Sequence, residues 1–121
     1  MTRVLYPGSF DPITKGHMNI VEQASELFDE VIIAILQNPK KISMFTPQER
    51  LEMISKLYKH HDNIKVVIGT GATVDIAVLH ECKAIVRGLR SLTDYDYEVQ
   101  MQQINKDISN NQVNTICLFA D

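Results

Sequence analysis

Cysteine is scarce in this sequence. Cys82 and Cys117 are the only two in 121 residues, and they lie far apart with no CxxC spacing. A disulfide or zinc framework is therefore not expected, and two buried free thiols in a reducing cytoplasm are. Long apolar runs are also missing. The longest, Val31-Ile32-Ile33-Ala34-Ile35-Leu36, falls far short of the ~20 residues a membrane helix needs. The amino terminus reaches Pro7-Gly8 before any secretory apolar stretch can form, so no membrane association is expected. Positive charge is not in excess either: 12 Lys and Arg face 15 Asp and Glu, for a net charge of -3. A chain without a basic surplus is a poor partner for nucleic acid. No GxxxxGK[ST] P-loop occurs, and there is no internal repeat, linker or low-complexity tract.

What is present is ordinary for a globular protein: 45% hydrophobic and 22% charged residues. One domain spanning residues 1–121 is expected, long enough to bury a real core. Short apolar runs recur at residues 4–6, 31–36, 66–68, 84–86 and 116–119. They are continuous rather than alternating, as in strands covered on both faces of a parallel sheet. Helical periods fall between them. Ile20, Ala24, Leu27 and Phe28 mark one helical face, and Leu51, Ile54, Leu57 and Tyr58 mark another. Thr46-Pro47-Gln48-Glu49 carries an N-cap hydroxyl, a proline at the first helical position and a capping-box glutamate. Further helices are expected over residues 74–81 and 94–108, with Val99 and Ile108 facing inward in the second and Asp94 and Asp96 favouring its N-terminal dipole. The order β-α-β-α-β-α-β-α-β, with right-handed crossovers, gives an α/β fold: a doubly wound, five-stranded parallel sheet. Ligands of such sheets bind beyond the carboxyl ends of the strands.

The most informative loop follows the first strand: Pro7-Gly8-Ser9-Phe10-Asp11-Pro12-Ile13-Thr14-Lys15-Gly16-His17. Gly8 lets a backbone approach a ligand closely, and Ser9 offers a hydroxyl and an amide to a phosphate. Gly16 and His17 fall at a helix N-terminus, where unpaired N–H groups and the macrodipole attract anions. The dipole disfavours a charged imidazole there, but a neutral His17 can donate a hydrogen bond. The alternative is a Gly/Pro turn closed by a capping histidine. Gly69-Thr70-Gly71 resembles a dinucleotide fingerprint only in part, since Val74 replaces the third glycine and the motif follows the third strand. His60-His61 is read as a solvated pair near a helix C-terminus rather than a metal site, because adjacent helical residues point apart.

Gly8-Ser9-Phe10-Asp11-Pro12 followed by Thr14-Lys15-Gly16-His17 resembles the G-[ST]-F-D-P and [TH]-x-G-H signature of the nucleotidylyltransferase superfamily. Arg87-Gly88-Leu89-Arg90 and Asp94-Tyr95-Asp96-Tyr97-Glu98 resemble the R-G-[LI]-R and D-[FY]-x-Y-E signatures of the phosphopantetheine adenylyltransferase family, as do Lys41, Phe45 and Thr46–Arg50. The resemblance implies a Rossmann-like nucleotidylyltransferase fold. It implies adenylyl transfer from ATP to 4′-phosphopantetheine, giving dephospho-CoA and pyrophosphate in coenzyme A biosynthesis. It assigns His17, Lys41, Arg87 and Arg90 to catalysis. Ser9, Lys41, Thr73 and Arg87 fall to substrate binding, and Ser9, Phe10, His17, Gly88, Leu89, Arg90 and Glu98 to ATP. Mg2+ is expected on the ATP phosphates rather than in a protein-built cage, and a homo-oligomer, hexameric in the family, is expected. Sister enzymes such as cytidylyltransferases share the first motif but lack the later ones. Family members continue past the fifth strand with a serine-rich I-S-S-[ST] stretch that grips ATP phosphates, whereas this sequence ends at Phe119-Ala120-Asp121. Weaker ATP binding and slower turnover than in a chain carrying that stretch are therefore expected, with an impaired nucleotide-binding fragment as the other reading.

Overall fold

The computed structural model describes residues 1–37, 40, 42–89, 92–108 and 113–120, with the side chains of 92–94 and 105–108 outside the description. The elements run β1 (Arg3–Gly8), α1 (Lys15–Leu27), β2 (Glu30–Leu36), α2 (Pro47–Leu57), β3 (Ile64–Gly69), α3 (Thr73–Leu79), β4 (Ala84–Leu89), α4 (Leu92–Ile108) and β5 (Asn114–Phe119). The strands form one sheet in the order β3-β2-β1-β4-β5, with every pairing parallel.

Side-chain alternation along the strands builds two cores. Val4, Tyr6, Val31, Ile33, Ile35, Ile64, Ala84 and Val86 point to one face, where Ile20, Val21 and Ala24 of α1 and Ile54 of α2 cover them. Leu5, Ile32, Ala34 and Ile85 point to the other, under Val74, Ile76 and Ala77 of α3. The chain builds outward from β1 through β2 to β3, then crosses to β4 on β1's other side. The order therefore reverses between β1 and β4, and a crevice opens at the carboxyl ends of these two strands.

The opposite rim is closed by ion pairs. Arg3 Nε donates to Glu30 at 2.7 Å across the β1–β2 register, and its Nη1 donates to the His80 carbonyl at 2.9 Å. Both cysteines are free: Cys82 is buried, while Cys117 is half-buried rather than fully enclosed. Burial pushes the Cys82 thiol up to about 11.

Three expected inward positions face out instead. Leu27 and Leu57 are the last residues of α1 and α2, and both are exposed. The chain already turns there, and the following Phe28 and Tyr58 pack on the core in their place. Val99 is also exposed, because its neighbour Glu98 occupies the inward position of α4 and one residue is a ~100° rotation on a helix. The side chain of Ile108 lies outside the described residues. His60 and His61 are exposed beyond the end of α2, as expected.

Candidate active site

The connection from β1 to α1 is fixed by a reciprocal cap. Thr14 is the N-cap of α1, and its hydroxyl accepts from the His17 N–H at 3.3 Å. The Thr14 N–H in turn donates to His17 Nδ1 at 3.0 Å. A backbone amide can only donate, so Nδ1 is the unprotonated ring nitrogen and the imidazole proton sits on Nε2. The cap therefore sets a tautomer. The capping and functional readings of His17 are the same arrangement, because one ring nitrogen caps the helix while the other is the ring's donor.

His17 lines a cavity of about 300 Å3 at the carboxyl ends of β1 and β4. Tyr6, Pro7 and Gly8 form its β1 wall, Thr14, Gly16, His17 and Ile20 its α1 wall, and Arg87, Gly88 and Glu98 its far wall. Arg87 projects from β4 on the Ile85 face. Its Nε donates to Glu98 Oε2 at 3.1 Å, which ties β4 to α4 beside the cavity that both residues line. Glu98 is a buried acid, not a solvated helix-surface one. Cys117, the strand partner of Arg87, lies close by: burial and the Glu98 carboxylate raise its thiol pKa, and the Arg87 guanidinium acts in the opposite direction.

Two glycines of this wall have different origins. A Cβ on Gly88 would meet Ile20 at 3.1 Å, a tight contact, so the close packing of α1 on β4 favours a glycine. A Cβ on Gly16 would meet only the Thr14 hydroxyl at 3.8 Å, an ordinary contact, and its φ is not in the left-handed region. Nothing in the fold demands glycine at position 16, the second residue of a helix, where it costs about 0.5–1 kcal/mol relative to alanine. Gly16 lines the cavity.

The cytidylyltransferase-like family model matches residues 5–116. A phosphopantetheine adenylyltransferase from Finegoldia magna is 48% identical over 120 residues, covering 99% of this chain and 74% of that protein. Another from Clostridium botulinum is 43% identical over 121 residues, covering all of this chain and 73% of that one. The chain belongs to the phosphopantetheine adenylyltransferase family. It is thus placed among nucleotidyltransferase enzymes. A Thermoplasma volcanium lipopolysaccharide core biosynthesis protein superposes with a TM-score of 0.71 at 21% identity, covering all of this chain and 97% of that one. That likeness concerns the Rossmann-like fold alone.

Of the residues singled out in the family motifs, His17, Arg87, Gly88, Glu98 and Phe10 meet at the cavity. The Phe10 ring is buried, edge-on to Tyr6 at 5.3 Å and to His17 at 5.0 Å, so it supports the imidazole from below. Phe10 holds a φ of 48°, a left-handed conformation that costs a residue of this size of order 1 kcal/mol or more. Ser9 is exposed between the cavity-lining Gly8 and Phe10. Leu89 is buried and does not line the cavity. Thr73 opens α3 beyond β3, at the sheet edge, and is not brought to the cavity. Lys41 and Arg90 lie outside the described residues. The glycines of Gly69-Thr70-Gly71 serve the fold: a Cβ on Gly69 would meet Ile76 at 2.6 Å, and Gly71 turns at a φ of 85°.

The sequence reading gave no individual role to Arg50, which is 2% exposed. Its Nη1 donates to the Ser9 carbonyl at 2.7 Å, with longer contacts of 3.4 Å to the carbonyls of Leu36 and, from Nε, Thr46. The available signal was its spacing of four from Ile54, which puts both on the inward face of α2.

Proposed function

We propose that this chain transfers the adenylyl group of ATP to the phosphate of 4′-phosphopantetheine, releasing pyrophosphate and forming dephospho-CoA. The carrying observation is the imidazole of His17, tautomerised by its own cap so that Nε2 bears the proton, in a cavity shared with the Arg87 guanidinium. A phosphate oxygen of the acceptor attacks the α-phosphorus, and the bond to the pyrophosphate oxygen breaks in line. The Nε2–H donates to a non-bridging α-phosphate oxygen, where negative charge builds in the transition state. The α1 amides and dipole favour the same charge. Arg87 holds the attacking phosphate with its terminal nitrogens, oriented through Glu98. Lys41 supplies a second cation to that phosphate, and Arg90 meets the triphosphate. Ser9 and the backbone of Phe10, Gly88 and Leu89 frame the nucleotide. No covalent enzyme intermediate is required; catalysis is alignment and charge stabilisation.

Mg2+ enters as part of the nucleotide substrate. Among the described residues no cluster of three metal-ligating side chains exists, and the carboxylate on the cavity wall, Glu98, is paired with Arg87. In this reading the ion is carried on the ATP phosphates, where Mg2+ keeps several of its waters. We place the reaction in the cytoplasm, which suits the free thiols, and in a homo-oligomer, which suits the exposed Tyr95, Tyr97, Val99 and Ile104 of α4. No described helix is long and apolar enough to cross a membrane.

The test is pyrophosphate release from ATP or CTP, with 4′-phosphopantetheine or glycerol phosphate as acceptor. Turnover with ATP and 4′-phosphopantetheine alone is the expected result. A preference for CTP, or for the small acceptor, would replace this reading with that of a sister enzyme.

A further inference from the structure

We infer that Arg50 and Asp11 are positioning residues that latch the loop after β1 to the loop after β2, and so set the geometry of the phosphate-binding backbone. This rests on the function proposed above.

A buried guanidinium costs several kcal/mol of lost hydration unless its donors are satisfied. Arg50 has no carboxylate partner among the described residues; it meets neutral carbonyls. Stability alone would favour an aliphatic side chain there, as at Ile54 one turn on. The guanidinium does what an aliphatic chain cannot. It pins the carbonyl of Ser9, just past the end of β1, and reaches that of Leu36, at the end of β2. Asp11 makes the complementary tie. Its two carboxylate oxygens accept from consecutive amides, Met44 at 2.7 Å and Phe45 at 2.8 Å.

Between these two ties stands Phe10, with a left-handed backbone and a buried ring against His17. A strained residue persists only where its surroundings over-determine it. Here the residue before it is held by Arg50 and the residue after it holds the 44–45 backbone. The loop carrying Gly8, Ser9 and the support of His17 thus becomes one body with the segment that follows Lys41 in the sequence. Binding sites for two anionic reactants that must meet in line would then be held in one frame.

The experiment compares the full chain with Arg50→Lys, Asp11→Asn and the double variant. Lysine keeps the charge but loses the planar head, whose Nε contact to the Thr46 carbonyl aims Nη1 at those of Ser9 and Leu36. Asparagine keeps one acceptor and turns the other into a donor facing an amide. Steady-state kinetics with ATP and 4′-phosphopantetheine are paired with amide hydrogen exchange of the ligand-free chain. In folded variants kcat is expected to fall about 100-fold, the scale of a misplacement near 1 Å, with a much smaller change in KM for ATP. The double variant should be little worse than either single one, because the ties act as a unit. The Met44 and Phe45 amides should lose protection in Asp11→Asn, and residues 9–14 should do so in Arg50→Lys. Lowered melting temperatures with wild-type kcat would overturn the inference, leaving two merely structural residues. Unchanged exchange in both loops would overturn it whatever the kinetics. Lost protection with no turnover by the wild-type chain would support the latch and refute the function on which its purpose was read.

Discussion

Helices α1 and α2 begin with the same device and use it differently. Each opens on a threonine N-cap whose hydroxyl accepts from the amide three residues on, and in each that third residue reaches back to the threonine N–H. In α2 the first turn reads Pro47-Gln48-Glu49, in α1 Lys15-Gly16-His17. Proline pre-sets the backbone and glutamate compensates the positive end of the dipole, so α2 begins as stability would choose. The α1 turn departs from that choice at every position: a cation at the positive end, the helix former least favoured after proline, and imidazole in place of carboxylate. Its first turn contains no acidic residue. The difference teaches where stability was given up, and that end lies on the cavity. In the proposed reaction the ATP phosphates supply the charge that Glu49 supplies within α2.

Transplanting the α2 choices into α1 breaks the comparison most sharply. His17→Glu completes an ordinary capping box, so it should stabilise the fold by about 0.3–1 kcal/mol in thermal melts while abolishing adenylyl transfer. The milder His17→Ala should lower kcat by about 100- to 1000-fold, the usual loss for one oxyanion donor. Next in size is a control glycine. Gly69→Ala drives a methyl into Ile76, and denaturant titration should show a loss of about 1–3 kcal/mol from overpacking, with kcat kept. Gly16→Ala should do the reverse, gaining about 0.5–1 kcal/mol while weakening ATP about tenfold by titration calorimetry, a change of about 1.4 kcal/mol.

The smallest effect concerns pH. Hydrogen bonds from the Thr46 backbone and side chain hold Glu49 below the usual carboxylate range. A depressed folded-state pKa contributes stability above the unfolded value and loses it as pH falls through the folded one. Melting temperatures of Glu49→Gln should therefore fall below wild type at pH 7, with the gap closing as the medium is acidified below pH ~4.

Much of this was legible in the chain. Continuous apolar runs gave five strands because a doubly covered parallel sheet leaves no polar face to alternate. Thr46-Pro47-Gln48-Glu49 gave the start of α2 because capping chemistry is local. The loop from Gly8 to His17 stood out as a candidate because glycines, a serine and a helix-start histidine crowd one strand end. What escaped depends on contacts distant in sequence. Arg50 in Gln48-Glu49-Arg50 reads as a surface arginine until the Ser9 carbonyl, 41 residues away, is seen beneath it. Glu98 resembles any helix acid until Arg87 is placed opposite. Tyr95, Tyr97 and Val99 are all exposed on α4, so the apolar character of Val99 assigned it to the wrong side. Phe10 matches a nucleotide-binding motif, yet its ring belongs to the core.

The first turn of α1 is proposed as an anion site maintained against stability. Calorimetric titration of ATP into His17→Glu, on protein shown by melting to be at least as stable as wild type, tests it most directly. The account predicts that binding seen with wild type disappears. Undiminished ATP binding by that stabilised variant would contradict it.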